Sequence, residues 1–116
     1  MAAPNVVNVT NITGKTATYV SSATAANVVA NPVSSNSVYK INTITVANYS
    51  ASVISANVDI WRSSTQYLIV GNVTIPANST MIVSGKDTAF YLEEGDGLRV
   101  ATSATAHVVS SYEIIS

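Results

Sequence analysis

Short runs of apolar, mostly β-branched residues alternate with polar residues along most of the chain, and clusters of turn-forming residues separate the runs. The clearest run has an apolar residue at every second position: Ile54, Ala56, Val58 and Ile60. The positions between them hold the polar residues Ser55, Asn57 and Asp59. Because successive side chains of a strand point to opposite faces of a sheet, this alternation predicts a strand with one buried face.

The same pattern along the rest of the chain predicts eight or nine short strands. They lie at residues 16–21, 27–30, 38–48, 53–62, 67–75, 80–83, 89–92, 98–102 and 107–115. The gaps between them are shorter than a parallel crossover requires, so the sheets are expected to be antiparallel. The pattern therefore predicts an all-β fold, an antiparallel β-sandwich of the jelly-roll or immunoglobulin-like kind.

One predicted strand, residues 38–48, changes its alternation midway. Tyr39 and Ile41 are apolar at odd positions, whereas Ile44 and Val46 are apolar at even positions. Such a change indicates either a β-bulge, which inserts one extra residue, or a strand that is covered on both faces.

The chain is long enough for one hydrophobic core, since 116 residues is close to the commonest size of a single domain. Residues 1–14 contain Pro4, several Asn and Thr residues and isolated valines, without a strong period. We therefore predict an extended N-terminal arm at 1–14 and a single β-sandwich domain at 15–116.

Charged residues make up only 9% of the chain, and its formal net charge is −1. A surface with so little charge has weak electrostatic self-repulsion, which suits a protein that packs against neighbouring subunits. The five basic residues are scattered, so no nucleic-acid footprint is expected. The chain has no cysteine. Neither a signal peptide nor a membrane-spanning segment is expected, because no suitable apolar run is present.

The residues that could carry chemistry are few. His107 is the only histidine, and no nucleophile motif accompanies it, so a strand residue with ordinary hydrogen bonds is the expected role. Glu93, Glu94 and Asp96 surround a glycine turn, which fits either a solvated hairpin turn or, less well, a Ca²⁺ site. We therefore expect no catalytic site, no cofactor and no bound metal.

Trp61 and Arg62 form a candidate contact site at the end of the predicted strand 53–62. Trp61 continues the polar face of that strand. A flat aromatic ring at such a position fits a protein interface or a carbohydrate platform, and equally a ring packed under a loop or against the second sheet.

Several stretches resemble small virion proteins of tailed bacteriophages, cyanophages especially. The resemblance lies in the strand, acidic turn and strand of Tyr91-Leu92-Glu93-Glu94-Gly95-Asp96-Gly97-Leu98-Arg99-Val100 and in the ending Val109-Ser110-Ser111-Tyr112-Glu113-Ile114-Ile115-Ser116. The segments 37–44 and 75–77 are also similar, so the resemblance covers roughly residues 37–116. It implies a viral structural protein that decorates or cements the capsid, with the major capsid protein as partner, a homotrimeric state and a place on the virion surface.

Two other roles stay open beside capsid decoration. The first is a component of the neck, tail, baseplate or fibre of the virion. The second is a carbohydrate- or receptor-binding β-sandwich. The residues expected to make contacts are those of the arm and of the tryptophan site: Asn5, Val6, Val7, Val9, Ile12, Trp61 and Arg62. The arm is expected to lie along a neighbouring subunit or to add a strand to its sheet.

Overall fold

The computed structural model describes residues 11–116 and gives nine strands in that part of the chain. They are β1 (Ile12–Ser21), β2 (Ala26–Ala30), β3 (Val38–Asn48), β4 (Ile54–Arg62), β5 (Thr65–Ile75), β6 (Ser79–Ser84), β7 (Phe90–Leu92), β8 (Gly97–Thr102) and β9 (Ala106–Ile115). A single turn of 3₁₀ helix, Lys86–Thr88, lies between β6 and β7. Every predicted strand is present, with bounds that differ by a few residues.

The strands form two antiparallel sheets, which confirms the predicted all-β sandwich. Sheet A has the order β1, β9, β3, β6, and β7 pairs with the other end of β3. Sheet B has the order β2, β8, β4, β5. β1 and β9 are therefore neighbours, and β1 lies at the edge of sheet A as far as residues 11–116 show.

The core is built mainly from β-branched side chains of the central strands. Its fully buried members include Ile41, Ile44, Val46, Val58, Leu98, Val100 and Val108. Burial of each such side chain stabilises the fold by about 1.5–3 kcal/mol. The alternation predicted for β4 is confirmed, because Ile54, Ala56 and Val58 are buried and Ile60 packs against the core.

A bulge in β3 explains the change of alternation seen in the sequence. The register of β3 against β9 shifts between Ile41 and Thr43, so Asn42 is the extra residue. Ile41 and Ile44 are both fully buried. Because one residue is inserted between them, apolar side chains on either side of Asn42 reach the same core.

The predicted boundary between arm and domain at residue 14 is wrong, because β1 begins at Ile12. Ile12 pairs with Ile115 and Gly14 pairs with Glu113, so residues 12–14 belong to sheet A. Gly14 is a weak strand former by itself, and the pairing of this segment depends on partners about a hundred residues away in the chain. The rest of the proposed arm, residues 1–10, lies outside the described residues.

A tight hairpin joins β4 to β5. Arg62 pairs with Thr65, which leaves Ser63 and Ser64 as a two-residue loop. Both loop residues have positive φ, 51° and 59°, as a type I′ turn requires. Asn-Gly is the usual sequence of such a turn. Because Ser63-Ser64 replaces it here, the sequence predicts that β5 begins only at residue 67.

The surroundings of Tyr112 predict that the free energy of unfolding falls at high pH. Its ring stacks on Tyr39 with 5.7 Å between the centroids. Burial, and secondarily the neighbouring Tyr39, raise the pKa of the Tyr112 phenol above its ordinary value of 10.0. Because the pKa is raised in the folded state, the protonated Tyr112 phenol stabilises the fold fully below about pH 10. This stabilisation is lost as the pH rises through the folded-state pKa.

We therefore expect Tyr112→Phe, which keeps the ring, to unfold less readily at high pH than wild-type protein. Urea unfolding at several values between about pH 8 and pH 12, a range that includes the ordinary pKa of a phenol, measures the free energy of unfolding of both proteins. Equal alkaline slopes for the two proteins would contradict the prediction.

Candidate functional site

The outer face of sheet A, which we define as the side turned away from the core, presents two adjacent rows of uncharged side chains. One row runs through Val20, His107, Ala47 and Thr80, and the next through Thr18, Val109, Thr45 and Ile82. Val20 is 58% exposed and Ile82 is 72% exposed. Exposed apolar side chains next to one another, with no formal charge in either row, are compatible with a protein contact surface.

His107 belongs to this face and makes an aromatic contact there. Its ring stacks on Tyr49 with 4.3 Å between the centroids. The side chain is exposed. Within residues 11–116 no group of three or more His, Cys, Asp or Glu side chains is placed to hold a metal ion.

The edges of the two sheets differ in regularity. The register of β2 shifts between Asn27 and Val29, and β5 has two shifts against β4, one of them next to Asn72 with its positive φ. The pairing of β6 with β3 also shifts once. β1, in contrast, pairs with β9 in one unbroken register over all ten of its residues. It is the one long edge strand in the described part of the chain that no bulge interrupts.

Trp61 lies on the outer face of sheet B and is covered by a cation. The Arg99 guanidinium lies 4.1 Å from the centre of the ring. The Arg99 Nε also donates a 2.9 Å hydrogen bond to Asp59 Oδ1. Asp59 is only 1% exposed, although the alternation of β4 placed it with the polar, outward residues. One ring face of Trp61 is therefore occupied by the protein's own side chain.

Arg62 holds the acidic turn between β7 and β8. Its Nε donates to both carboxylate oxygens of Asp96 at 3.0 Å, and its Nη2 lies 3.2 Å from Glu93 Oε2. The hydrogen bond from Arg62 to Asp96 raises the pKa of the guanidinium, with a smaller effect from the charge of Glu93. Asp96 is buried and also accepts a 2.8 Å hydrogen bond from the Glu93 backbone N–H.

The turn has the expected positive φ at Gly95 and an exposed Glu93, but Asp96, contrary to the prediction, is not solvated. Asp96 is neither solvated nor free to coordinate a cation, because Arg62 already neutralises it. Glu94 accepts a hydrogen bond from the Asn36 N–H and so ties the turn to the β2–β3 loop. The turn is a structural ion-pair cluster.

The predicted contact residues do not form one site. Ile12 is exposed on β1 in sheet A, whereas Trp61 and Arg62 lie at the end of β4 in sheet B. Asn5, Val6, Val7 and Val9 lie outside the described residues. The sequence reasoning missed the face formed by Val20, Val109 and Ile82, because these residues come from three separate strands. The sequence does contain a pattern that indicates this face, because each of the three strands has an apolar residue among its outward-facing positions.

Comparisons with known proteins identify no family. No protein-family model and no curated protein matches the chain. A solved structure of Bacillus endospore appendages, described as a novel family of disulfide-linked pili, is similar with a TM-score of 0.43 and 14% sequence identity. The match covers 99% of this chain and 94% of that chain. At this TM-score the likeness carries no argument about function. No helix among the described residues is long and apolar enough to cross a membrane.

Proposed function

We propose that this protein is a structural subunit of a tailed-bacteriophage virion that decorates the capsid and stabilises it by binding the major capsid protein lattice. The outer face of sheet A is the observation that best supports this proposal. The two adjacent rows described above hold the exposed side chains of Val20, Val109 and Ile82 and no formal charge. The sequence resemblance to phage virion proteins supports the choice of partner.

The physical mechanism of such a protein is preferential binding. A subunit that binds the assembled lattice, and not the free capsid protein, lowers the free energy of the assembled state by mass action. The low charge favours this use, because few ions have to be desolvated when the face is covered. The rigid sandwich favours it as well, because the contact side chains are already ordered on strands before binding.

Particles that lack this protein are expected to release DNA at a lower temperature than complete particles. Heating both kinds of particle and measuring nuclease-sensitive DNA tests the stabilising role. Quantitative gel analysis of purified particles tests the location, since hundreds of copies indicate shell decoration and about a dozen indicate the neck, baseplate or fibre. Equal heat stability of the two kinds of particle would contradict the cementing role.

A pair of matched variants tests the binding face. Val109→Lys places a charge in the middle of the outer face of sheet A, whereas Val53→Lys changes an exposed valine in the β3–β4 loop. We expect Val109→Lys to weaken binding to particles by roughly tenfold or more, which corresponds to about 1.4 kcal/mol. Val53→Lys should bind as wild type does. Similar binding by both variants would rule out this face as the contact.

The other roles have less support in the structure. A carbohydrate platform at Trp61 would require an open ring face, and Arg99 covers one of the two. The homotrimer implied by the sequence resemblance stays a prediction, as does a place in the neck, tail, baseplate or fibre.

A further inference from the structure

Within residues 11–116, β1 has no partner strand on the side away from β9, and this edge carries a regular ladder of backbone hydrogen-bonding groups. Asn11 and Ser116 exchange two backbone hydrogen bonds, of 2.8 and 2.9 Å. In an antiparallel pair, hydrogen-bonded residue pairs alternate with pairs whose N–H and C=O groups point away from each other. Since the register of β1 against β9 never shifts, the groups that point away from β9 belong to Ile12, Gly14, Thr16, Thr18 and Val20.

Nothing in the described part of the chain covers this edge. β1 is the last strand of sheet A, and all five of these residues are exposed. A Cβ built on Gly14 meets no atom within 4 Å. The apolar side chains at the two ends, Ile12 and Val20, are 59% and 58% exposed. Long, regular, uncovered edge strands are the usual sites at which another strand adds to a sheet.

We infer that β1 pairs antiparallel with β1 of a second copy of this chain, about a two-fold axis at Thr16, and joins two A sheets into one. In this register Ile12 faces Val20 of the other copy, Gly14 faces Thr18, and Thr16 faces Thr16. All five outward residues then form hydrogen-bonded pairs. The inference concerns the free protein and does not depend on the proposed virion function.

The side chains favour this register over its neighbours. The two exposed β-branched residues at the ends cover each other, and the two Thr16 side chains form a cross-strand pair of a favourable kind. Lys15, the only charged residue of β1, stands opposite Ala17. Shifting the pairing by two residues in one direction would place the two Lys15 side chains directly opposite each other, and a shift in the other direction would leave Ile12 unpaired. Like charges directly opposite are destabilising.

Cysteine cross-linking tests the register directly, because the chain contains no cysteine of its own. Paired residues at the axis have Cα atoms about 5.5 Å apart, which lies within the range of a disulfide. Thr16→Cys is therefore expected to form a covalent dimer on mild oxidation. Val20→Cys is the matched control, since its two copies would lie about 27 Å apart. A mixture of Ile12→Cys and Val20→Cys should cross-link as a heterodimer.

A proline variant tests the pairing without breaking the fold. The Thr16 N–H points away from β9, so Thr16→Pro removes a bond of the proposed interface but none within the sheet. The Ala17 N–H points towards β9, so Ala17→Pro should destabilise the monomer itself. Wild-type protein is expected to shift from monomer to dimer with rising concentration in sedimentation velocity, and Thr16→Pro to stay monomeric with an unchanged thermal melt at low concentration.

Three results would overturn the inference. They are a wild-type protein that stays monomeric up to its solubility limit, a dimer that survives Thr16→Pro, and equal cross-linking of Thr16→Cys and Val20→Cys. None of these results bears on binding to the capsid lattice, so the proposed function is tested separately.

Discussion

Replacing Arg99 by alanine is expected to lower the free energy of unfolding by about 3–5 kcal/mol, because the change leaves a buried carboxylate without its cation. Asp59 is 1% exposed, and Arg99 is its only ion-pair partner among the described residues. Arg99 contacts both carboxylate oxygens, and Gln66 Nε2 adds a neutral hydrogen bond of 2.8 Å to Oδ2. The same change removes the cation that lies over the ring of Trp61. Urea unfolding at neutral pH, followed by tryptophan fluorescence and circular dichroism, measures the loss.

The two partners of this ion pair are expected to differ in their effect. The Arg99 side chain is 19% exposed, so in Asp59→Ala the guanidinium still reaches water, and the loss should be smaller than for Arg99→Ala. The double variant Asp59→Ala/Arg99→Ala should be less destabilised than the sum of the single variants, because it leaves no unpaired buried charge. Additive losses would show that the two residues do not stabilise each other.

Replacing Asn48 by alanine is expected to lower the free energy of unfolding by about 3 kcal/mol, because one buried side chain satisfies groups from two turns. Its Nδ2 donates to the backbone carbonyl oxygens of Ser52, Ile75 and Pro76 at 2.8–3.1 Å. Its Oδ1 accepts from the backbone N–H and the hydroxyl of Ser50. Asn48 thus connects the β3–β4 turn with the turn that follows β5. Chemical denaturation of the variant measures the loss.

Two further variants separate the hydrogen bonds from the loss of a side chain. Asn48→Asp keeps the shape but points a carboxylate at the three carbonyl oxygens, so it should destabilise at least as much as Asn48→Ala. Asn57→Ala removes one acceptor, for the Asn72 N–H, on a more exposed strand face, and should cost only about 1 kcal/mol. An Asn48→Ala loss no larger than that of Asn57→Ala would contradict the role described for Asn48.

These buried polar groups explain how a chain with 9% charged residues keeps a defined shape. Four of the charged residues form two ion pairs, Asp59 with Arg99 and Asp96 with Arg62, whereas others, such as Lys40, lie on strands of sheet A. The two rows of the outer face of sheet A described above carry no formal charge. These two rows are the surface that we propose contacts other subunits.

The strands themselves could be predicted from the residues because local information specifies them. β4 alternates clearly, and its apolar residues form the core as expected. Turns with Gly, Pro or Asn were also recognised. The Ser63-Ser64 hairpin was missed because its positive φ values are imposed by the pairing of β4 with β5, and serine carries no strong preference for them.

The candidate sites depended far more on the tertiary structure. The sequence shows three carboxylates together at 93–96, but only the fold brings Arg62 from another strand to pair with Glu93 and Asp96. Likewise, Asp59 was expected in solvent because it occupies an outward position of β4. The fold buries it under Arg99, which comes from the neighbouring strand β8. Partners that are distant in the chain leave no local pattern.

By itself, the sequence determined the all-β class, the number of strands, their approximate limits and the scarcity of charge, since each of these follows from residue type and from alternation along the chain. Only the tertiary structure decided which strands are neighbours and which edges stay open. It placed β1 beside β9, so that within the described residues β1 is a regular edge strand with Thr16 at its middle. Strand order and edge exposure arise from long-range pairing, for which no local pattern codes.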